Sequence, residues 1–375
     1  MKLVLGITSA GSGPLIKGQP AYFRSLGYKV YLMAPPDERI KCFCKDEGCE
    51  HIPVSIERTI SPLKDIWALI QIIKALKKVK PDIVNVGTPK MGLLGTMAAA
   101  FIGVKKRIYT CRGFRYEHER GLKRKVLMFS EKTASALAHK VVCISPSLRE
   151  RGIADRIFPG KKAVLIGHGS SNGIDLYYYN PGKIPSEKTS HLKKSLGLNQ
   201  EFVYGFVGRL LDRKGLRELY EAFSLIYEKD QNTALIILGG ITKDQFSDDW
   251  LIEKFRAHPG IQWLGFRQEV PLYMSTFDVL VLPAWWEGFG NVLIQSAAMG
   301  VPVISTFGTG CRDAVNNGYN GTLVPVKDVN ELTKAMVNYM ENRELRKKHG
   351  NNGIKWAQNF RSEIIWEGLN ELYSS

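Results

Sequence analysis

The stretch Val279–Ser305, VLVLPAWWEGFGNVLIQSAAMGVPVIS, decides the fold of this chain. Val279–Leu282 is a short apolar run closed by a proline, which cannot donate to a sheet ladder, so the run predicts a buried strand. A loop with two glycines follows, and the apolar pattern from Asn291 to Gly300 predicts a helix. Val301–Ile304 predicts the next strand. The stretch therefore alternates strand, glycine loop, helix and strand.

The loop Glu287–Asn291 is suited to hold an anion. Its two glycines let the backbone approach a ligand closely. A helix that begins near Asn291 presents free N–H groups and the positive end of its dipole, which favours a phosphate. The pattern predicts a nucleotide-phosphate site in which Glu287 is the one acidic side chain.

Both halves of the chain show the same alternation of buried strands and helices. Residues 175–200 are polar and tyrosine-rich and predict a linker, and the pattern restarts at Phe202. The alternation is typical of a doubly wound α/β sheet. We predict two Rossmann-like domains, one of residues 1–175 with a C-terminal helix at about 358–375, and one of residues 176–357.

Three segments resemble the motifs of the family 4 retaining glycosyltransferases. Glu287–Gln295 is similar to the family's E-x7-E signature, Gly208–Gly215 to its donor-diphosphate motif, and Asn172–Asp175 to its domain-junction motif. The resemblance covers nearly the whole chain and implies the GT-B fold, in which two Rossmann-like domains face a cleft. Where the family has its second glutamate, this chain has Gln295. A carboxylate accepts from both ribose hydroxyls, whereas an amide has one acceptor oxygen.

The resemblance implies a UDP-sugar donor site. Arg209 and Lys214 would neutralise the departing diphosphate, because arginine binds phosphate oxygens in bidentate fashion and lysine acts as a point charge. Glu287 would accept hydrogen bonds from the donor sugar. The backbone near Arg267 would read the uracil, and Gln295 would meet the ribose. The remaining donor contacts would come from the first glycine loop, Ser9–Pro14, and from the loop and first turn of the helix predicted at Asn291. These residues are Gly11, Gly13, Gly288, Phe289, Gly290, Asn291 and Val292.

No catalytic base is evident in the sequence. His118 follows a predicted strand and is a candidate to orient or polarise the reacting groups, with a surface histidine as the alternative. In the family the donor's own phosphate oxygen is thought to take the acceptor proton. The chain has no Asp-x-Asp pair of the kind that holds a divalent ion, so we expect no metal and no cofactor.

The excess positive charge lies wholly in the N-terminal half. Residues 1–180 hold 30 Lys and Arg against 14 Asp and Glu, whereas residues 181–375 hold 22 of each. This asymmetry predicts an anionic partner such as nucleic acid, an acidic membrane surface or a phosphorylated lipid. Four basic residues at or after strand ends are the candidates to bind an anionic acceptor: Arg58, Lys90, Arg112 and Arg115.

A denser basic cluster follows, interleaved with apolar side chains between residues 120 and 129. Such a helix suits an anionic membrane surface, with a solvated basic face as the alternative. The candidate membrane residues are Arg120, Lys123, Arg124 and Lys125. The segments Arg58–Asp65, Thr88–Lys90 and Arg112–Gly113 also resemble those of capsule and O-antigen transferases that use undecaprenyl-diphosphate-linked acceptors. Within that group the overall sequence is most similar to capsular enzymes that add N-acetylfucosamine.

No secretory signal is evident, and the longest mainly apolar stretch, Met91–Val104, is 14 residues and too short to span a bilayer. We therefore expect a cytoplasmic protein, peripheral on the inner face of the cell membrane. Leu63, Ile66, Trp67, Ile70, Ile73 and Leu76 recur at helical spacing and predict a core-facing stripe. The spacing of Cys42, Cys44 and Cys49 fits no standard zinc pattern, so reduced thiols are expected.

Two other functions fit parts of the sequence. A UDP-sugar epimerase on the same fold needs no acceptor, and the basic N-terminal half argues against it. A nucleic-acid-binding protein would use the same positive charge, but aromatic residues are not interleaved with the basic ones as in stacking platforms. A glycosyltransferase that extends a lipid-linked sugar in surface-polysaccharide synthesis accounts for both halves.

Overall fold

A computed structural model describes residues 1–57, 61–198, 202–241, 246 and 248–375, except for the side chains of His118 and Asp249. The chain divides into two compact units. Unit 1 comprises Met1–Gly173 and Ser362–Ser375, and unit 2 comprises Ile174–Arg361. The units begin and end within four residues of the domain boundaries predicted at 175 and 358.

Unit 1 is built on a parallel sheet of seven strands in the order β3-β2-β1-β4-β5-β6-β7. The strands are β1 (Lys2–Gly6), β2 (Lys29–Ala34), β3 (Glu50–Pro53), β4 (Ile83–Gly87), β5 (Lys106–Cys111), β6 (Lys140–Cys143) and β7 (Ala163–Leu165). Its helices are α1 (Gln19–Ser25), α2 (Glu38–Glu47), α3 (Pro62–Val79), α4 (Pro89–Phe101), α5 (Gly121–Leu137), α6 (Pro146–Ala154) and the C-terminal α14 (Ser362–Ser374).

Unit 2 is built on a parallel sheet of six strands in the order β10-β9-β8-β11-β12-β13. The strands are β8 (Phe202–Val207), β9 (Thr233–Leu238), β10 (Ile261–Gly265), β11 (Val279–Leu282), β12 (Val303–Thr306) and β13 (Gly321–Val324). Its helices are α7 (Ser186–Ser195), α8 (Leu216–Tyr227), α9 (Asp249–Ala257), α10 (Val270–Met274), α11 (Asn291–Ala298), α12 (Val329–Glu341) and α13 (Arg343–Ala357).

Burial on both faces explains the continuous apolar strands. Every residue of β4, β9 and β11 is buried, as expected of parallel strands covered by helices on both sides. The C-terminal helix α14 completes the core of unit 1, where Ile365, Leu369 and Tyr373 pack with residues of β1 and β2. The Tyr373 hydroxyl accepts a hydrogen bond of 2.6 Å from the Asn85 amide. Helix α14 is therefore part of unit 1.

Two segments predicted as a loop and a linker contain helices. The first glycine loop is a short 3-10 helix, Ala10–Leu15, which Gly18 in the left-handed region separates from α1. The segment predicted as a linker contains α7, whose polar composition reflects a helix without a buried residue. No helix in the described part of the chain is long and apolar enough to cross a membrane.

The prediction of a core-facing stripe on α3 was wrong in its first two turns. Leu63 is 83% exposed, Trp67 is 56% exposed, and Ile66 and Ile70 are exposed as well. The residues that face the core are Ala68, Ile72 and Leu76. The helix has apolar residues on two faces, so helical spacing locates the helix but does not decide which face turns inward.

A buried carboxyl group lies under α5. Glu131 is 4% exposed, and its Oε2 accepts a hydrogen bond of 2.7 Å from the Tyr109 hydroxyl on β5. Burial raises the pKa of Glu131 to about 7, although the bond from Tyr109 opposes the shift. The native state therefore retains a proton that the unfolded chain loses at a lower pH.

We predict that this carboxyl group makes unit 1 less stable as the pH rises from about 4.5 to 7. The unfolded state binds fewer protons than the native state in this window, so the free energy of unfolding falls with rising pH. The pKa shift from 4.5 to about 7 corresponds to a loss of roughly 3 kcal/mol at about 1.4 kcal/mol per pKa unit. Glu131→Gln should raise the melting temperature at pH 8 and leave it nearly unchanged at pH 4.5, whereas the exposed Glu150→Gln control should change neither. Equal melting temperatures of wild type and Glu131→Gln across the range would contradict the assignment.

Candidate active site

The site in unit 2 forms where two loops meet at the carboxyl ends of β8 and β11. The loop after β8 contains a 3-10 turn, Asp212–Lys214, which ends at Gly215 with a φ of +67°. A Cβ atom at Gly215 would lie 2.1 Å from the Pro283 carbonyl oxygen, so only glycine allows this approach. The backbone N–H of Trp285 donates to the Arg213 carbonyl at 2.8 Å and fixes the two loops side by side.

Glu287 is the centre of a buried ion cluster. One oxygen of its carboxylate, Oε1, lies 2.5 Å from the Lys214 ammonium and 2.8 Å from the Arg213 guanidinium. The Glu287 and Lys214 side chains are 12% and 11% exposed. The sequence analysis predicted Lys214 and Glu287 for one donor site, and the structure brings their side chains into direct contact.

Burial and charge act in opposite directions on Glu287. Burial by itself would raise the pKa of the carboxyl group, but Lys214 and Arg213 together outweigh it and hold the pKa below its ordinary value. Glu287 is therefore ionised at neutral pH and can only accept hydrogen bonds. Because Oε1 is paired with both cations, Oε2 is the oxygen that can accept a hydrogen bond from a ligand hydroxyl.

Sequence reasoning missed two parts of this site. The Arg213 guanidinium stacks 4.5 Å from the Trp286 ring and bonds both Glu287 and the Trp286 carbonyl. The loop after β12 supports Glu287 from behind, since the Glu287 N–H donates to the Thr309 carbonyl at 2.8 Å. Gly310 is packed so closely that a Cβ atom there would lie 2.3 Å from the Glu287 carbonyl oxygen. Arg213 lies in Gly208–Gly215, the segment that resembles the donor-diphosphate motif. The two glycines of Gly308-Thr309-Gly310, shortly after a predicted strand, were a sequence signal for a close approach of the backbone.

The other predicted donor residues of unit 2 follow the carboxyl ends of β8, β10 and β11. Gly288, Phe289 and Gly290 lead directly into α11, whose first turn contains Asn291 and Val292. Gln295 is half-buried one turn further along α11. Arg209 is exposed in the loop after β8, and Arg267 is exposed after β10, where its Nε donates to the Tyr273 hydroxyl.

The predicted acceptor residues of unit 1 differ in accessibility. Lys90 begins α4 and is largely buried in an ion pair of 2.6 Å with Asp65 of α3. The Arg112 Nε donates to Ser171 Oγ, and its Nη1 is shielded from solvent, so Arg112 also holds the end of unit 1 together. Arg115 is exposed, in a 3-10 turn that includes the backbone of His118. Arg58 and the His118 side chain lie outside the described residues.

The first glycine loop and the basic cluster also belong to unit 1. Gly11 is exposed on the 3-10 helix, whereas Gly13 is buried against Phe43. Arg120, Lys123 and Lys125 are exposed at the start of α5, with Lys123 paired to Glu119, and Arg124 lies over the Tyr116 ring. Within the described residues, no group of three or more His, Cys, Asp or Glu side chains could hold a metal ion.

Comparisons with known proteins decide the family. A model described as Glycosyltransferase Family 4 matches residues 21–176, and one described as Glycosyl transferases group 1 matches residues 188–356. The capsular polysaccharide biosynthesis glycosyltransferase CapM of Staphylococcus aureus is 33% identical over 98% of this chain and 96% of its own length. This chain belongs to the family 4 glycosyltransferases.

Further relatives of this glycosyltransferase agree in sequence and in fold. The UDP-Gal:alpha-D-GlcNAc-diphosphoundecaprenol alpha-1,3-galactosyltransferase of Escherichia coli is 27% identical over 90% of both chains. The structure of HepE from Anabaena, solved with UDP and glucose, matches with a TM-score of 0.83 at 19% identity over 100% of this chain and 99% of that one. The predicted fold class, GT-B with two Rossmann-like units, is confirmed.

We predict that Glu287→Gln separates nucleotide binding from transfer in this glycosyltransferase. The amide keeps the size of the side chain but removes the anion that neutralises Lys214 and Arg213. UDP affinity, measured calorimetrically, should be unchanged or higher because both cations become available to the diphosphate. The kcat for transfer should fall about 100-fold or more, comparable to the loss of one preorganised electrostatic contact.

The control for this experiment is Glu341→Gln, an exposed carboxylate at the end of α12. It should leave both UDP affinity and kcat at the wild-type values. A Glu287→Gln enzyme with wild-type kcat, or one whose UDP affinity falls ten-fold while it remains folded, would contradict the role given to Glu287.

Proposed function

We propose that this protein is a retaining, metal-independent glycosyltransferase that moves a sugar from a UDP-sugar to an undecaprenyl-diphosphate-linked sugar during synthesis of a capsule or related surface polysaccharide. The observation that carries the proposal is the buried contact of Glu287 with Lys214 and Arg213 at the carboxyl edge of a parallel sheet. Open α/β sheets bind their ligands at that edge. HepE, which has the same fold, was solved with UDP and glucose.

The residues of unit 2 suit a departing nucleoside diphosphate. Lys214 and Arg209 supply positive charge, and the first turn of α11 supplies backbone N–H groups and the positive end of the helix dipole. In the proposed step the bond between the sugar's anomeric carbon and the β-phosphate oxygen breaks while the acceptor oxygen bonds to the same face of that carbon. The acceptor proton passes to the leaving phosphate oxygen, so the protein supplies no base.

The acceptor is proposed from the relatives and from the charge of unit 1. The name of the E. coli relative gives its acceptor as a sugar on diphosphoundecaprenol, and CapM is named for capsular polysaccharide biosynthesis. A diphosphate would meet the basic carboxyl edge of unit 1, with Lys90, Arg112 and Arg115 as candidate ligands. The donor is proposed to carry an N-acetylated hexose or deoxyhexose, with N-acetylfucosamine as the first to test.

A transfer assay tests the proposal. The purified protein is incubated with each of a panel of UDP-sugars and an undecaprenyl-diphosphate-linked monosaccharide, and the products are analysed by mass spectrometry and NMR. We expect one UDP-sugar to extend the lipid-linked sugar with retained anomeric configuration, equally well in excess EDTA. An inverted product would contradict retention, loss of activity in EDTA would contradict metal independence, and conversion of the UDP-sugar without acceptor would favour an epimerase.

The exposed apolar residues of unit 1 support docking at the membrane. Helix α4 packs between α3 and α5 on one face of the sheet, and α3 and α5 each begin at its carboxyl edge. The exposed apolar side chains of α3 are joined on α5 by Leu122 and Phe129, 77% and 73% exposed. Lys90 begins α4 between these two helices. An acceptor diphosphate near Lys90 would thus have an apolar surface on either side for its lipid and the bilayer.

We predict that the double variant Leu63→Ser/Trp67→Ser binds vesicles containing phosphatidylglycerol at least ten-fold more weakly than wild type. Full burial of one such side chain contributes about 1.5–3 kcal/mol, and partial insertion of two gives a ten-fold effect or more. The matched control is Leu225→Ser, which removes an exposed leucine from α8 of unit 2. A double variant that sediments with vesicles as well as the control does would contradict membrane docking through α3.

A further inference from the structure

A cavity of unit 2 is lined in part by the turn that carries Lys214. It has a volume of about 330 Å³, within the range of small-molecule sites, and belongs wholly to unit 2. Its walls come from the segments that follow β8, β9, β11 and β13. The lining residues that carry the argument are Asp212, Glu218, Phe246, Asp248, Trp285 and Lys327.

Glu218 is the least satisfied polar group of this cavity. It is 8% exposed, and its Oε1 accepts a hydrogen bond of 2.9 Å from the Trp285 indole N–H. Its Oε2 is shielded from solvent and has no hydrogen-bond partner among the described residues. A buried carboxylate oxygen without a partner is unfavourable, so a hydrogen-bond donor that reaches this atom from the cavity would be stabilising.

The charges around Glu218 restrict the kind of ligand. Three carboxylates, Asp212, Glu218 and Asp248, and two cations, Arg217 and Lys327, line the cavity, and Asp248 accepts two hydrogen bonds from Arg217. The Lys327 ammonium lies 3.8 Å from the centre of the Trp285 ring. Because the opposite charges nearly balance, a neutral molecule with several hydroxyl groups is favoured over a strongly charged ligand. Its hydroxyls can donate to Glu218 and accept from Lys327.

The apolar part of the wall suits the same class of ligand. Leu216, Phe246 and Leu251 line the cavity but are 1%, 7% and 1% exposed, so the half-buried Trp285 ring is the main apolar surface for the C–H groups of a ring. We propose that this cavity is a second binding site, for a neutral saccharide ring, separate from the Glu287 site. The proposal rests on the lining residues and would hold whatever acceptor the enzyme uses.

Lys327 provides a favourable way to test the site. Its φ of +64° lies in the left-handed region, which is unfavourable for a residue other than glycine. Lys327→Gly therefore removes the ammonium group and relieves the backbone at the same time, so this variant should fold at least as well as wild type. Glu218→Ala removes the buried acceptor and is the second, less conservative variant.

The experiment is saturation-transfer NMR on the full-length protein saturated with UDP. The probes are glucose, galactose and N-acetylglucosamine, each at millimolar concentration. We expect at least one sugar to give signals in wild type and to bind ten-fold or more weakly to Lys327→Gly and Glu218→Ala. Calorimetric UDP affinity, unchanged in both variants, shows that the donor site is intact.

A third variant distinguishes the proposed cavity from the donor-sugar site. Glu287→Gln alters the donor site and should leave these sugar signals unchanged. Signals that disappear in Glu287→Gln and persist in Lys327→Gly would place the sugar at the donor site and overturn the proposal. The absence of signals for all three sugars with the UDP-saturated wild type would overturn it as well. Because the transfer assay does not enter this experiment, its result is independent of the proposed function.

Discussion

The contact of Glu287 with Lys214 and Arg213 is the constraint on which the arrangement of unit 2 depends. Three charged groups withdrawn from water are stable together only if each is paired, since an isolated buried charge would cost several kcal/mol. Pairing requires that the turn after β8 and the loop after β11 lie in contact, which Gly215 permits through its close approach to Pro283. The same contact places an ionised carboxylate next to the start of α11, whose free backbone N–H groups and dipole favour a phosphate.

Unit 1 has a different balance of charge and apolar surface. Residues 1–180, which include all of unit 1 except its C-terminal segment Ser362–Ser375, have a net charge of +16, and residues 181–375 have a net charge of zero. Unit 1 also carries the exposed faces of α3 and α5, whose apolar side chains would be unfavourable in water without a further role. The proposed lipid-linked anionic acceptor would account for the charge and the apolar surface together, whereas nucleic acid would account for the charge alone.

The sequence predicted the strands and most helices because continuous apolar runs and glycine punctuation report burial on both faces of a parallel sheet. It also predicted Glu287 and Lys214, because they lie in motifs with a clear resemblance. It did not predict that Arg213 completes the ion cluster, since adjacent residues of a loop point in directions that only the folded turn defines. The exposed stripe of α3 was misassigned because two faces of that helix are apolar, and the partner of Lys90 was unknown because Asp65 is distant in sequence.

The central claim is that the carboxyl edge of unit 2 holds a nucleoside diphosphate against Lys214 and the start of α11. A crystal structure of the protein with UDP tests this most directly. The account predicts a β-phosphate oxygen within hydrogen-bond distance of the Lys214 ammonium and of a backbone N–H in the Gly288–Val292 segment, with the Glu287 carboxylate still bound to Arg213. Diphosphate density elsewhere in unit 2, or a diphosphate with no contact to Lys214 and α11, would contradict it.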